Sequence, residues 1–326
     1  VLARAVAIDP QQLGALTLLA LSRQHVCAWD GLAALHTQIA GRLERGAGEH
    51  GPANPFALLS MPVPASAQLR AAEGWARLWS PAQPSATPER SVAARAQGRK
   101  LRLGYLSSDF RSHAIAFLLS EVWERHDRTR FETAAYSIGP RDGTPLRKRI
   151  EAAFDRFVDA YDDPPARTAQ RIRDDGIDVL IDLNGYTRGA RSDISAMRPA
   201  PVQISWLGYL GTLGASWIDY VITDRYATPD DQQACFTERF LHLPDCYCPS
   251  DTRREVAPLP GARADVGLPP SGFVFCCFNN TYKILPALFD VWMRLLDRIA
   301  GSVAWLSPGN ATAAANLKRE ATARGV

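Results

Sequence analysis

From Leu101 onward the chain alternates between short strand-like runs and amphipathic stretches. The runs are Leu101–Leu106, Glu132–Ser137, Arg156–Asp159, Val179–Leu183, Gln203–Trp206, Tyr220–Ile222 and Phe240–Leu243. Helix-period stretches separate them at Ala114–His126, Thr144–Phe154, Ala166–Asp175 and Arg191–Met197. Short apolar strands with intervening helices bury both sheet faces, so the pattern predicts an α/β fold with a doubly wound parallel sheet. In such sheets the working residues lie in loops at the carboxyl ends of the strands. After a Pro-, Arg- and Gly-rich break at 249–271, the pattern resumes with Phe273–Phe278, Leu285–Ile299, Val303–Leu306 and a helix near Ala311–Arg324. Two strands do not make an independent lobe. The chain therefore reads as one complete Rossmann-like lobe plus the opening of another.

The region before Leu101 has a different rhythm. Leu13, Leu16 and Leu19, then Leu32, Leu35, Ile39 and Leu43, recur at helical spacing, and residues 12–46 read as continuing helix. An alanine-spaced helix ending in Asp9-Pro10 is how a tetratricopeptide repeat often closes, although an ordinary helix stopped by proline looks the same. Residues 47–100 are rich in Gly, Pro, Ala and Ser and read as an irregular linker with short helical patches. The expected division is a tetratricopeptide-like segment (1–46), a linker (47–100), a complete lobe (101–250), a connection (251–271) and the start of a second lobe (272–326).

Composition narrows the function classes. A chain of 326 residues with 46% hydrophobic and 22% charged residues is an ordinary globular sequence, which excludes disorder as the main state. No apolar run approaches the ~18–20 residues of a membrane span, so no membrane partner is expected. The net charge is only +3 and no dense basic run appears, so no nucleic-acid partner is expected. The six cysteines form no C-x-x-C pair and read as reduced, buried thiols of a cytoplasmic protein. The chain opens at Val1 with neither an initiator Met nor a signal peptide, so it is expected to begin mid-sequence. Only four lysines occur, Lys100, Lys148, Lys283 and Lys318, so a lysine inside a motif carries more information than usual.

Four strand-end segments can carry chemistry. Ser107-Ser108-Asp109-Phe110-Arg111-Ser112-His113 follows the first strand and enters a helix. A helix N-terminus favours anions and a neutral imidazole, which can accept a proton. An N-cap by Ser112 or Asp109, with His113 incidental, explains the same residues. Asp182-Leu183-Asn184-Gly185-Tyr186-Thr187-Arg188-Gly189 follows a very apolar strand, and its short polar side chains suit sugar hydroxyls; a plain strand-to-helix turn is the alternative. The stretch from Arg198 to Gly214 ends in a loop with Gly208, Gly211 and Gly214. It matches neither the dinucleotide nor the phosphate-loop pattern. In Phe278-Asn279-Asn280-Thr281-Tyr282-Lys283-Ile284, a rare lysine stands at a strand-to-helix junction. There it can neutralise a phosphate, although a solvated lysine is the simpler reading. The chain contains no D-x-D triplet and no His/Cys ligand cluster, so no metal and no cofactor is expected.

These motifs, in this order, resemble the catalytic region of the O-GlcNAc transferases. The matching stretches are Leu101–His113, Asp142-Gly143-Thr144, Asp175-Gly176-Ile177, Leu183–Arg191, Arg198–Gly214, Asp219–Asp224 and Phe278–Ile284; Cys27-Ala28-Trp29-Asp30 resembles the family's junction between repeats and catalytic lobe. The short connection between Ser250 and Gly272 is similar to bacterial members. The resemblance implies a GT-B fold of two Rossmann-like lobes preceded by tetratricopeptide repeats. It implies inverting, metal-independent transfer of N-acetylglucosamine from UDP-GlcNAc to Ser or Thr hydroxyls, with a UDP-sugar donor and a protein or peptide acceptor as partners. Carried over residue by residue, it implies His113 as the active-site histidine by the acceptor. Lys283 becomes the contact to the UDP diphosphate, with Tyr282 beside it, and Asn280 a donor contact where animal enzymes have glutamine. Leu207 and Gly208 supply backbone around the sugar, Asn184 and Thr187 lie near sugar and acceptor, and Asp182 is an orienting acid. Leu210 departs from the family's proline.

Two other functions fit the same scaffold: transfer from another donor, GDP-fucose as in SPINDLY-type plant proteins or UDP-glucose, and a catalytically silent repeat-bearing binding module. Because the second lobe is only begun, the 326-residue chain by itself is expected to bind UDP more weakly than micromolar. Titration calorimetry checks this, and micromolar binding would contradict it.

Overall fold

The computed structural model describes residues 1–46, 51–80, 98–255, 258, 261–307 and 309–326. Parts of the expected linker (47–50, 81–97) and connection (256, 257, 259, 260) lie outside the described residues. The chain forms two compact units. One is Val1–Pro64 together with Glu255–Val326, and the other is Ala65–Arg254. This differs from the expected boundaries, because the N-terminal helices pack with the 272–326 segment instead of standing as a domain of their own.

The first unit begins with α1 (Leu2–Ile8), α2 (Leu13–His25), α3 (Leu32–Glu44) and the short α4 (Pro55–Leu58). Helix α2 packs against α1, α3 and α4 through Leu13, Leu16 and Ala20, all fully buried or nearly so. The expected continuous helix over 12–46 is broken at 26–31, where Cys27 (φ +50°) and Gly31 (φ +68°) turn left-handed. Apolar spacing runs on through Ala28 and Trp29, so periodicity does not mark the break; backbone handedness does.

The second unit opens with α5 (Ala65–Ala76), which falls inside the expected linker. Its sheet contains β1 (Leu101–Ser107), β2 (Phe131–Ser137), β3 (Arg156–Asp159), β4 (Val179–Asp182), β5 (Val202–Trp206), β6 (Tyr220–Thr223) and β7 (Arg239–His242). The connecting helices are α6 (Ala114–Glu124), α7 (Pro145–Ala152), α8 (Pro165–Asp174) and α9 (Ser192–Ala196). All pairings are parallel and the spatial order is β3-β2-β1-β4-β5-β6-β7. The order reverses between β1 and β4. At such a switch point the loops on either side diverge and leave a crevice at the strand ends.

Alternation along β1 explains the two cores. Leu103 and Tyr105 face a cluster with Phe110, Trp123, Phe154 and Ile181. Leu106 faces the other cluster, with Tyr136, Ile172 and Leu180. Trp123 of α6 is fully buried, with ring centroids of Phe110 at 5.3 Å and Phe154 at 5.4 Å. Phe110 belongs to the loop after β1, so this aromatic cluster anchors that loop as well as the helix.

The first unit closes with β8 (Val274–Cys277), α10 (Pro286–Arg298), β9 (Val303–Leu306) and α11 (Ala311–Thr322), in which β8 and β9 pair in parallel. All six cysteines are free, but only Cys27 is buried; Cys246 and Cys276 are exposed, which corrects the reading of buried thiols. Among the described residues no helix is long and apolar enough to cross a membrane. Replacing Trp123 with Ala is expected to cost about 3–5 kcal/mol of unfolding free energy, as for other large core aromatics. Denaturant titration of the variant checks it.

Candidate functional site

The loops after β1 and β4 meet at the switch point through one side chain. Asn184 is 1% exposed. Its Oδ1 accepts from the Ser108 N–H at 2.7 Å. Its Nδ2 donates to Ser108 Oγ at 2.9 Å and Asp109 Oδ2 at 2.8 Å. Asp109 Oδ1 accepts from Ser108 Oγ at 3.2 Å, and Ser107 Oγ accepts from the Asp109 N–H at 3.0 Å. A carboxylate so nearly buried is tolerable because these donors replace its water. Packing is tight enough that a Cβ on Gly139 would sit 2.0 Å from Ser108 O.

His113 is itself the N-cap of α6, in place of the Ser112 or Asp109 cap weighed above. Its Nδ1 accepts from the Ile115 N–H at 3.3 Å. The same nitrogen lies 3.6 Å from Asp109 Oδ2. The two neighbours ask for opposite tautomers. Accepting from Ile115 requires a bare Nδ1 and puts the ring proton on Nε2. A proton on Nδ1 faces Asp109 and leaves Nε2 free to accept. Asp109 thus stands where it can decide the role of the half-exposed ring.

Asp182 does a different job from Asp109. Its Oδ1 accepts from the N–H groups of Asn184 (2.8 Å) and Gly185 (3.0 Å), and its Oδ2 from Ser195 Oγ (3.2 Å). It orients the backbone of the Asn184 loop; no bond joins it to His113. Burial pushes its carboxyl above the ordinary range, and the three donors offset part of that rise. Thr187 closes the loop, donating from Oγ1 to Asn184 O at 2.9 Å.

Leu207 and Gly208 press on this loop from β5. Leu207 is left-handed (φ +68°), and a Cβ on Gly208 would lie 1.9 Å from Leu183 O, so only glycine fits there. The glycine-bearing loop is then tied down by fully buried Glu238, which accepts from the Leu213 N–H at 2.6 Å and Thr212 Oγ1 at 2.7 Å. Burial raises the Glu238 carboxyl too. Sequence reasoning missed Glu238, since Thr-Glu-Arg before a strand looks like a solvated start. Leu210, at the position of the family's proline, is 58% exposed.

The other motif lies in the first unit. Asn280 precedes a 3₁₀ turn over Thr281–Lys283, in which the Lys283 N–H bonds Asn280 O at 3.0 Å. Asn280 and Lys283 are exposed, and Lys283 Nζ donates to Asn279 Oδ1 at 3.4 Å. Tyr282 packs its ring 4.9 Å from that of His25, and partial burial raises its hydroxyl pKa. The structure therefore gathers His113, Asn184, Thr187, Asp182, Leu207 and Gly208 at the strand ends of one unit. Asn280, Tyr282 and Lys283 form one turn of the other. Among the described residues no group of three or more His, Cys, Asp or Glu is placed to hold a metal.

The model of glycosyl transferase family 41 matches residues 85–260 and 255–326. The chain belongs to glycosyl transferase family 41. It is 37% identical over 233 residues to the probable UDP-N-acetylglucosamine–peptide N-acetylglucosaminyltransferase SEC of Arabidopsis thaliana, covering 70% of this chain and 24% of that protein. It is 42% identical over 151 residues to the UDP-N-acetylglucosamine–peptide N-acetylglucosaminyltransferase of Caenorhabditis elegans, covering 46% and 13%. In fold it matches a lysine-to-methionine variant of the Thermobaculum terrenum O-GlcNAc transferase with a TM-score of 0.75 at 29% identity, over 100% of this chain and 61% of that one. The GT-B resemblance is thus shared in three dimensions with a bacterial relative. The chain spans about a quarter of the SEC protein and 61% of the bacterial chain.

The raised Asp182 carboxyl has a defined consequence. A folded-state pKa above the unfolded value of about 3.9 favours folding at low pH, and that gain is lost as pH rises through the raised value. Asp182→Asn keeps an acceptor for the two backbone donors and removes the buried charge. Its unfolding free energy relative to the parent is expected to improve as pH rises from about 4 toward neutrality. Denaturant titrations across that range check the trend; a pH-independent difference would contradict it.

Proposed function

We propose that this chain carries the transfer of N-acetylglucosamine from UDP-GlcNAc to Ser or Thr hydroxyls of proteins, with inversion and without a metal. The observation that carries the reading is the Ser108–Asp109–Asn184 cluster beside His113, built at the switch point of a family 41 sheet. The names of the SEC and Caenorhabditis elegans relatives support the donor and the peptide acceptor. Free thiols throughout suit a cytoplasmic setting.

The chemistry follows from what each group can do. Breaking the sugar–phosphate bond builds negative charge on the UDP diphosphate. In a metal-free route a cation and oriented N–H groups must stabilise it, and Lys283 is the cation proposed for this task. Inversion is a single displacement, so the acceptor hydroxyl attacks the face opposite the leaving phosphate. His113 accepts the hydroxyl proton at Nε2 when its ring proton sits on Nδ1 facing Asp109, a state that gives up the hydrogen bond from the Ile115 N–H. Asn184 and Thr187 line the sugar and acceptor side, and Leu207-Gly208 bring backbone close to the sugar. Asn280 reaches less far toward the nucleotide than glutamine would.

The test is donor screening with a Ser/Thr peptide acceptor, read by mass spectrometry, in catalytically active protein. Transfer from UDP-GlcNAc is expected, with UDP competing better than GDP. Preference for GDP or for UDP-glucose would replace this reading. Lys283→Met is expected to lower the transfer rate by about 10²–10³, the scale of losing one preorganised charge stabiliser. Its melting temperature should hold, because Lys283 is exposed and its side-chain bond to Asn279 is long.

A further inference from the structure

Helix α2 ends with a buried polar residue that the proposed chemistry does not use. Gln24 is 0% exposed in a helix whose other buried positions are mostly apolar. Burying an amide costs free energy unless its groups are bonded. Its Oε1 is buried without a hydrogen-bond partner among the described residues, while its Nε2 donates to Tyr282 O at 3.1 Å and to Ser60 O at 2.8 Å, so the donor bonds are what the residue supplies. The Tyr282 carbonyl is the atom directly before Lys283 along the chain.

The neighbouring residues repeat the connection. Thr281 Oγ1 donates to His25 O at 2.7 Å, and Cys27 Sγ points to Thr281 O at 3.8 Å. The His25 and Tyr282 rings pack 4.9 Å apart at a tilt of 54°. Burial keeps the Cys27 thiol protonated, pushed up to about 11, so it serves as a donor. Helix ends leave carbonyls without intrahelical partners. Here Thr281 and Asn310 both cap His25 O, and Asn316 caps Val26 O at 2.7 Å. The Gln24 and Cys27 side chains thus meet the carbonyls of 281–282, and the Thr281 side chain meets the last carbonyl of α2.

We propose that Gln24, assisted by Thr281, is a positioning residue that fixes the turn from which Lys283 reaches the donor diphosphate. This rests on the reading of Lys283 given above. A lysine side chain is flexible, so the direction in which it leaves the backbone is what the fold can control. Misplacing a charge stabiliser by about 1 Å can cost on the order of 10²-fold. Gln24 thereby links the helical segment to donor binding through backbone rather than through contact with the nucleotide.

The test is a double-mutant cycle in active protein, with UDP affinity read by calorimetry. Gln24→Met keeps the size and removes the N–H donors. It is expected to weaken UDP binding and donor kcat/KM about tenfold while the peptide KM stays within about twofold, a modest share of that positioning loss. Thr281→Val, which removes only the hydroxyl, should act in the same direction, and Thr281→Ser should restore most of the loss; this pair decides the matter if Gln24→Met folds poorly. In the Lys283→Met background, Gln24→Met should have no further effect on UDP affinity. A full additional loss there, or parent-like behaviour of both Gln24→Met and Thr281→Val, overturns the positioning role alone. If Lys283→Met leaves UDP affinity and transfer unchanged, the reading of Lys283 falls and this inference falls with it.

Discussion

The site depends on one buried amide. Asn184 joins the loops after β1 and β4 where the sheet order reverses, taking one hydrogen bond from the Ser108 backbone and giving others to Ser108 and Asp109. A parallel sheet holds its strands but not the loops beyond them. Among the described residues that amide carries the hydrogen bonds between the two loops, and without it the Asp109 carboxylate would lose its shortest side-chain donor in a nearly dry place. His113 inherits its surroundings from this arrangement, because Asp109 is the acid within reach of its Nδ1.

Buried acids do the same kind of work at two further loops. Asp182 gathers the N–H groups of Asn184 and Gly185, and Glu238 gathers the Leu213 N–H and the Thr212 hydroxyl. In both, a carboxylate bonds loop donors that the sheet ladder does not reach. Both carboxyls are shifted upward by burial, so holding the loops in place costs some stability. Strained backbone at Leu207 and the close approach of Gly208 to Leu183 belong to the same pattern, in which local cost is accepted where a site must be shaped.

The first unit solves a similar problem with a helix end. Side chains from each side meet the other's carbonyls: Thr281 and Asn316 bond the carbonyls of His25 and Val26, and Gln24 bonds the carbonyl of Tyr282. This explains why the N-terminal helices and the 272–326 segment form one compact unit although the sequence suggests two separate pieces. Trp29 packing on Phe289 at 5.2 Å adds an apolar contact to the polar ones.

Hydrophobic periodicity by itself determined the strands and helices of the parallel sheet, usually to within a residue or two, and the strand-end position of His113, Asn184 and Lys283. That information is local: it depends on which residues recur every second or every third to fourth place. Tertiary structure alone decided that Ser108 meets Asn184 across 76 positions and that Gln24 meets Tyr282 across 258. It also decided that His113 rather than Ser112 caps α6, that Asp109 rather than Asp182 faces the ring, and that the α2–α3 helix breaks at Cys27. Those outcomes depend on strand order, backbone handedness and the cost of leaving buried polar groups unpaired, none of which is a property of neighbouring residues.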